Sequence, residues 1–232
     1  RGALPRRGGW RRYTEAMAAE PEPAPAPQPQ SQPVPGPESA EPIEPEGEPV
    51  VVVKDLVASY DDQRVLNGID VRVMRGEVLV ILGGSGSGKS TLLKCMLGIH
   101  PPDEGTIEIL GTDIWKATSD ERDELYKRIG IVYQGGALFG SMTVADNVAL
   151  PLREHSNLAA NVVNISVRMK LGQVGLSGFE DRLPSELSGG QAKRVAFARA
   201  ISMDPEALFC DEPSAGLDPR IGRGIDDLIR NL

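Results

Sequence analysis

The sequence predicts an α/β fold whose sheet is interrupted by a helical insertion, and three patterns lead to that reading. Short continuous apolar runs at residues 78–82, residues 107–110, Ile129–Val132 and Ala207–Cys210 look like strands, the first of them buried on both faces of a parallel sheet. After the first run, Leu92, Leu93, Met96 and Leu97 recur at helical spacing, and Gly98 with Pro101 marks the end of that helix. From Met142 to Pro184 the period turns helical again, with Val144, Val148 and Leu152 on one face. Strand followed by helix, repeated, is the signature of an α/β core.

The amino-terminal part has a different character. Residues 17–49 are dominated by Pro, Glu, Ala and Gln, a composition that buries too little apolar surface to offset the entropy of ordering. Residues 1–49 are therefore expected to form a disordered, Pro-rich tail ahead of a folded domain at 50–232. Met17 is a candidate start, with residues 1–16 translated from upstream; a short Arg-rich transit peptide is the alternative.

The chain of 232 residues is 40% hydrophobic and 4% aromatic, enough for one sizeable core built on Val, Ile, Leu and Ala. Its net charge of −8 owes much to Glu15, Glu20, Glu22, Glu38, Glu41, Glu44, Glu46 and Glu48, in a stretch without Lys or Arg. There is no basic stripe of the kind that binds phosphate backbones, so nucleic acid is not an expected partner. Cys95 and Cys210 lack metal-ligand spacing and read as reduced, buried thiols. No apolar run approaches the ~18 residues that a membrane helix needs.

Structure is expected to begin near Val50. Residues 50–53 and 69–73 look like strands, with Asn67-Gly68 as a turn signal before the second. Gly83, Gly84, Ser85, Gly86, Ser87, Gly88, Lys89 and Ser90 then spell GxxxxGK[ST] between a strand and a helix. A match of this kind arises by chance in about one such chain in a hundred. Its glycines let successive N–H groups converge on phosphate, Lys89 meets the β- and γ-phosphates, and the Ser90 hydroxyl suits Mg²⁺. Thr91 completes the nucleotide-contact set. A plain Gly/Ser loop would not need the flanking strand and helix, but the motif by itself says only nucleoside triphosphate.

The residues that narrow the family are Leu187, Ser188, Gly189, Gly190 and Gln191, followed by Lys193, Arg194 and a helix carrying Val195, Ala196, Ala198 and Ile201. This segment is the ABC signature, and from about Val50 to Leu232 the chain resembles the nucleotide-binding domains of ABC transporters. The resemblance implies a P-loop NTPase (RecA-like) core with an antiparallel β subdomain and a helical subdomain at about 136–186. It also implies ATP and Mg²⁺ as ligands, and a second ATPase subunit, packed head to tail, whose nucleotide meets Ser188 to Gln191. Physically, a Ser-capped helix amino end is an anion site.

Further along, Ala207 to Glu212 looks like a Walker B strand. A carboxylate at a buried strand end suits a metal and its neighbour can polarise a water, so Asp211 is assigned to Mg²⁺ and Glu212 to general base catalysis. Residues 214–218 resemble the D-loop. Gln134 resembles the Q-loop glutamine, with catalytic and metal roles, and Tyr60 resembles the A-loop aromatic that stacks on adenine. His100 reads as a loop residue and His155 as part of the helical insertion. The resemblance puts a switch histidine and further strands beyond Leu232, so the 232-residue chain is expected to hydrolyse ATP poorly and to aggregate.

Gln134 to Phe139, Asp146 to His155 and Leu183 to Glu186 look like the Mla-type lipid-transport ATPases, although many of those have Met where this chain has Gln191. That resemblance implies an integral permease, an MCE-domain lipid-binding partner and a peripheral place on the cytoplasmic face of the inner (plasma) membrane. Ala137, Leu138 and Phe139 offer either a contact for the permease or ordinary packing. Another ABC importer class and a non-transport ABC ATPase are the alternative readings.

Overall fold

The computed structural model describes residues 47–60 and 63–230. The expectations for the Pro-rich tail, as far as residue 46, and for a start at Met17 fall outside the described residues.

Two long strands, β1 (Pro49–Tyr60) and β2 (Gln63–Met74), form a hairpin whose last pair is Tyr60 with Gln63. Asn67-Gly68, expected as a turn, lies inside β2. There the register slips between the pairs Leu56 with Ile69 and Val57 with Asn67, so the dipeptide makes an irregularity in the ladder. The reason is that β1 and β2 are already paired at Tyr60 and Gln63, so the Asn-Gly pair falls within a strand that it does not end. β3 (Glu104–Ile109) pairs antiparallel with the other edge of β1, and the short β4 (Thr112–Asp113) completes a sheet ordered β2-β1-β3-β4.

A second sheet holds two parallel strands, β5 (Ile129–Val132) and β6 (Ala207–Cys210). Its two faces meet different cores. Ile129 and Phe209 join Leu56, Ile107, Ile109, Leu92, Cys95 and Leu125, under helices α1 (Lys89–Met96) and α2 (Ser119–Lys127). Val132, with Leu208 and Cys210 alongside, packs instead on the helical half. That half comprises α3 (Val144–His155), α4 (Ala160–Gln173), α5 (Gly189–Ala200) and α6 (Pro219–Arg230), closed around Val148, Val163, Leu171 and Phe197. Each large apolar side chain buried in this way contributes about 1.5–3 kcal/mol.

Polar residues define where the helices begin. Thr118 and Glu121 close α2 with a capping box, and Thr143 Oγ1 accepts the N–H of Asp146 at 3.1 Å to start α3. Asn147, fully buried, accepts from Phe139 N at 2.8 Å and donates to the carbonyls of Phe139, Met142 and Thr143, which fastens the loop ahead of α3 to its first turn.

One expected strand does not form. Val78, Leu79, Val80, Ile81 and Leu82 run as irregular chain and are exposed, Leu82 by 87%. An apolar β-prone run becomes a strand only when a neighbour takes up its N–H and C=O groups, and among the described residues β5 and β6 pair only with each other.

Candidate functional site

The phosphate loop runs from Gly83 to the start of α1. Gly88 caps that helix with φ +92°, a left-handed conformation, and a Cβ there would stand 2.8 Å from Leu66 Cδ2 of β2. The backbone conformation here favours glycine, and a side chain would also have to displace Leu66 of the hairpin. Lys89 turns back on the loop, its Nζ donating to the carbonyls of Gly83 at 2.8 Å and Gly84 at 2.9 Å. Ser85, Gly86, Ser87 and Ser90 are exposed and Thr91 is half-buried at the head of α1. An ammonium held beside free loop N–H groups and hydroxyls suits a polyphosphate.

Tyr60, at the end of β1, is 45% exposed. Its ring stacks on His100, with centroids 4.8 Å apart and planes 16° from parallel, and Lys94 Nζ of α1 lies 5.6 Å from the ring centre. His100 Nε2 is 2.9 Å from the carbonyl oxygen of Ser59, so the loop histidine braces the strand end that carries Tyr60.

At the carboxyl ends of β5 and β6 the structure brings Gln134, Asp211 and Glu212 together. Asp211 N donates to Val132 O at 2.8 Å, which extends the ladder by one residue and fixes the chain entering the acidic pair. Gln134 Nε2 donates to Glu212 Oε2 at 2.7 Å. Glu212 has φ +44°, the left-handed region that a glutamate enters only when its surroundings hold it there. Lys193 of α5, buried at 8% exposure, donates from Nζ to Gln134 O at 2.7 Å and Glu212 O at 3.2 Å. Burial pulls its pKa below the usual lysine value, while the charges of Glu212 and Asp211 act the other way.

The signature segment opens α5. Ser188 Oγ accepts from Gln191 N at 3.3 Å and Gln191 Oε1 accepts from Ser188 N at 2.9 Å, a reciprocal capping box. Gln191 thus shapes the helix start, and the S-x-x-Q spacing carried that signal. Gly190 is buried, and a Cβ on it would approach Ile221 Cγ2 of α6 to 2.5 Å. Among the described residues no hydrogen bond joins Ser188, Gly189, Gly190 or Gln191 to the phosphate loop.

Lys193 follows the signature in sequence but its contacts are not legible there, and His100 and Arg199 have no motif of their own. Arg199 donates to Gly136 O at 2.9 Å and Ala137 O at 2.7 Å, so α5 also holds the loop after Gln134. In that loop Leu138 packs on the helical core, whereas Ala137 and Phe139 are exposed. Cys95 and Cys210 are free thiols; burial, with Asp103 adding to it for Cys95, pushes them up to about 11 and about 12. His155 ends α3, exposed.

A strand-end acidic pair, a phosphate loop and a Ser-capped glycine helix start, arranged on one α/β frame, define a nucleotide-handling class of protein. A family model described as ABC transporter matches residues 66–215, a span that includes all three. This chain belongs to the ABC transporter family. It is 44% identical over 182 residues to the probable ribonucleotide transport ATP-binding protein mkl of Mycobacterium leprae, covering 78% of this chain and 52% of that protein. It is 42% identical over 183 residues to the intermembrane phospholipid transport system ATP-binding protein MlaF of Haemophilus influenzae, covering 79% of this chain and 69% of that one. The dimeric post-hydrolysis state of the ATP-binding cassette MJ0796, bound to ADP and Pi, superposes with a TM-score of 0.70 at 30% identity, covering 77% of this chain and 81% of that one. The chain spans about half the length of the mycobacterial relatives it matches.

Proposed function

We propose that this chain is the ATP-binding and ATP-hydrolysing subunit of a membrane transporter that moves lipid. The observation that carries the hydrolytic part is the Gln134–Glu212 hydrogen bond of 2.7 Å at the ends of β5 and β6, beside Asp211. In this reading Lys89 and the loop N–H groups hold the β- and γ-phosphates, and Glu212 takes the proton of the attacking water. Tyr60 offers its exposed ring to the adenine.

The chemistry of the donors fits Mg²⁺: Ser90 supplies a hydroxyl, Asp211 a carboxylate and Gln134 an amide oxygen, all hard ligands. Among the described residues no group of three His, Cys, Asp or Glu is gathered for a metal. In this reading the ion is held through one or two protein carboxylates plus substrate phosphates. When bound, it neutralises charge on the phosphates.

Ser188 and Gly189 are exposed at the start of α5. They are read as the contact for nucleotide held by a second subunit, in keeping with the dimeric cassette above. No helix among the described residues is long and apolar enough to cross a membrane. In this reading, which rests on the likeness to MlaF, an integral permease with an MCE-domain protein carries the cargo path and holds this subunit on the cytoplasmic face of the inner membrane. Likeness to MlaF supports phospholipid as the cargo.

The test is reconstitution of the full-length protein with its permease in proteoliposomes. Phosphate release that depends on MgATP, disappears in Glu212→Gln and accompanies phospholipid transfer is expected. ATP-driven movement of ribonucleotide with no lipid transfer would overturn the cargo, and turnover unaffected by Glu212→Gln would overturn the site.

A further inference from the structure

The helix that opens with the signature also reaches into the catalytic pair of its own subunit. Lys193 lies just beyond the capping box of Ser188 and Gln191, and its buried ammonium bridges two main-chain carbonyls, Gln134 O at 2.7 Å and Glu212 O at 3.2 Å. These two residues are the ones whose side chains bond each other at 2.7 Å, although they are far apart in sequence. We propose that Lys193 is a positioning residue for hydrolysis, holding the backbone of Gln134 and Glu212 so that the glutamine and the carboxylate keep one arrangement, tied to the signature helix.

This inference rests on the reading of Glu212 as the water-activating base. Three features support it. The ammonium is buried at 8% exposure, a costly place for a cation unless its donors are used, and it spends two of them on these carbonyls. A filler of the same volume would have needed no charge. Glu212 sits at φ +44°, so its side-chain direction depends on tertiary restraint, and Lys193 is bonded to its carbonyl. The restraint continues along α5: Arg199 grips Gly136 O and Ala137 O, and Ala137 is itself at φ +48°. These bonds join α5, which begins at Ser188 and Gly189, directly to the loops that carry Gln134 and Glu212.

The experiment compares Lys193→Met, Lys193→Arg, Glu212→Ala and the double variant Lys193→Met/Glu212→Ala in the full-length protein. MgATP affinity is measured by titration and turnover by phosphate release. Lys193→Met should leave the dissociation constant for MgATP and KM unchanged while kcat falls by about a hundredfold, the cost of displacing a reacting group by about an ångström. Lys193→Arg, which keeps charged donors, should recover most of that loss. In the Glu212→Ala background the same Lys193→Met change should cost almost nothing more, because the group being positioned is gone. Wild-type kcat in Lys193→Met would overturn the proposal. So would a loss that multiplies undiminished onto Glu212→Ala, which is the mark of a general structural role. If Lys193→Met fails to bind MgATP, the split between kcat and affinity in Lys193→Arg decides: a fall in affinity without a fall in kcat overturns it. Full turnover in Glu212→Ala alone would instead remove the underlying reading of the base.

Discussion

Two apolar runs of the same kind lead into the two halves of the site, and they have opposite fates. Ala207–Cys210 is paired in parallel with Ile129–Val132, and its Phe209 is buried against the sheet and helix α1 side of the core. Residues 78–82 are likewise apolar and uncharged, and richer in β-branched side chains, but lie unpaired, with Val80 exposed by 67%. The consequence is a difference in how firmly each loop is held. Asp211 and Glu212 emerge from a ladder, with hydrogen bonds from Asp211 N to Val132 O and from Lys193 to Glu212 O. The phosphate loop is anchored on its downstream side, where Gly88 meets Leu66, and Lys89 supplies the bonds back to Gly83 and Gly84. The Lys89 ammonium has a third donor beyond the two that these carbonyls take up. The acidic side is held by a strand ladder and a buried lysine; the phosphate loop is held by its own lysine.

The largest expected effect comes from the acidic side. Glu212→Gln should reduce phosphate release by about 10²–10⁴-fold while MgATP still binds, as loss of a general base does. Single-turnover and titration measurements on one preparation separate the two quantities, and parallel losses would show that Glu212 serves binding.

Next in size is the contrast in stability between the two runs. Phe209→Ala should lower unfolding free energy by ~3–5 kcal/mol. Val80→Ser, on the exposed run, should change it by less than ~0.5 kcal/mol. Urea unfolding of both variants tests this directly; a cost at Val80 as large as that at Phe209 would mean that residues 78–82 are buried in solution.

Gly190→Ala probes the junction between the signature helix and α6. The added methyl would sit 2.5 Å from Ile221 Cγ2, and overpacking of this sort costs ~1–3 kcal/mol. Ile221→Ala in the same chain should relieve part of that cost, and no relief would mean that another contact is responsible.

The smallest effect concerns the thiols. Because burial raises Cys210 to about 12 and Cys95 to about 11, both remain protonated at neutral pH, and thiolate appears only as pH rises toward those values. Alkylation of the folded protein at pH 8 should therefore be slow at both and become fast on unfolding. Rapid labelling of Cys210 in the native state would show that the end of β6 opens.

Much of this molecule was legible in the order of its residues. The strands Ile129–Val132 and Ala207–Cys210 appear with the bounds their apolar runs predict, and the helix after the phosphate loop ends just before Gly98. Such features are local: periodicity, turn chemistry and motif spacing act over a few residues, so they are written in the sequence directly. The resemblance gives Gln134 and Glu212 separate roles; that their side chains are joined by a hydrogen bond belongs to the fold.

What only the tertiary structure decided depends on partners distant along the chain. Residues 78–82 carry every local mark of a strand, but strand formation also requires a neighbour for their backbone groups, and no local pattern states whether one is present. Asn67-Gly68 has turn chemistry, yet β1 and β2 pair as far as Tyr60 with Gln63, so the dipeptide lies at a register slip within β2. The contacts of Lys193 and Arg199 are not legible in the sequence because their acceptors are main-chain carbonyls, which every residue has and no sequence distinguishes. Apolar period selects the elements; long-range hydrogen bonding to anonymous backbone selects how they are joined.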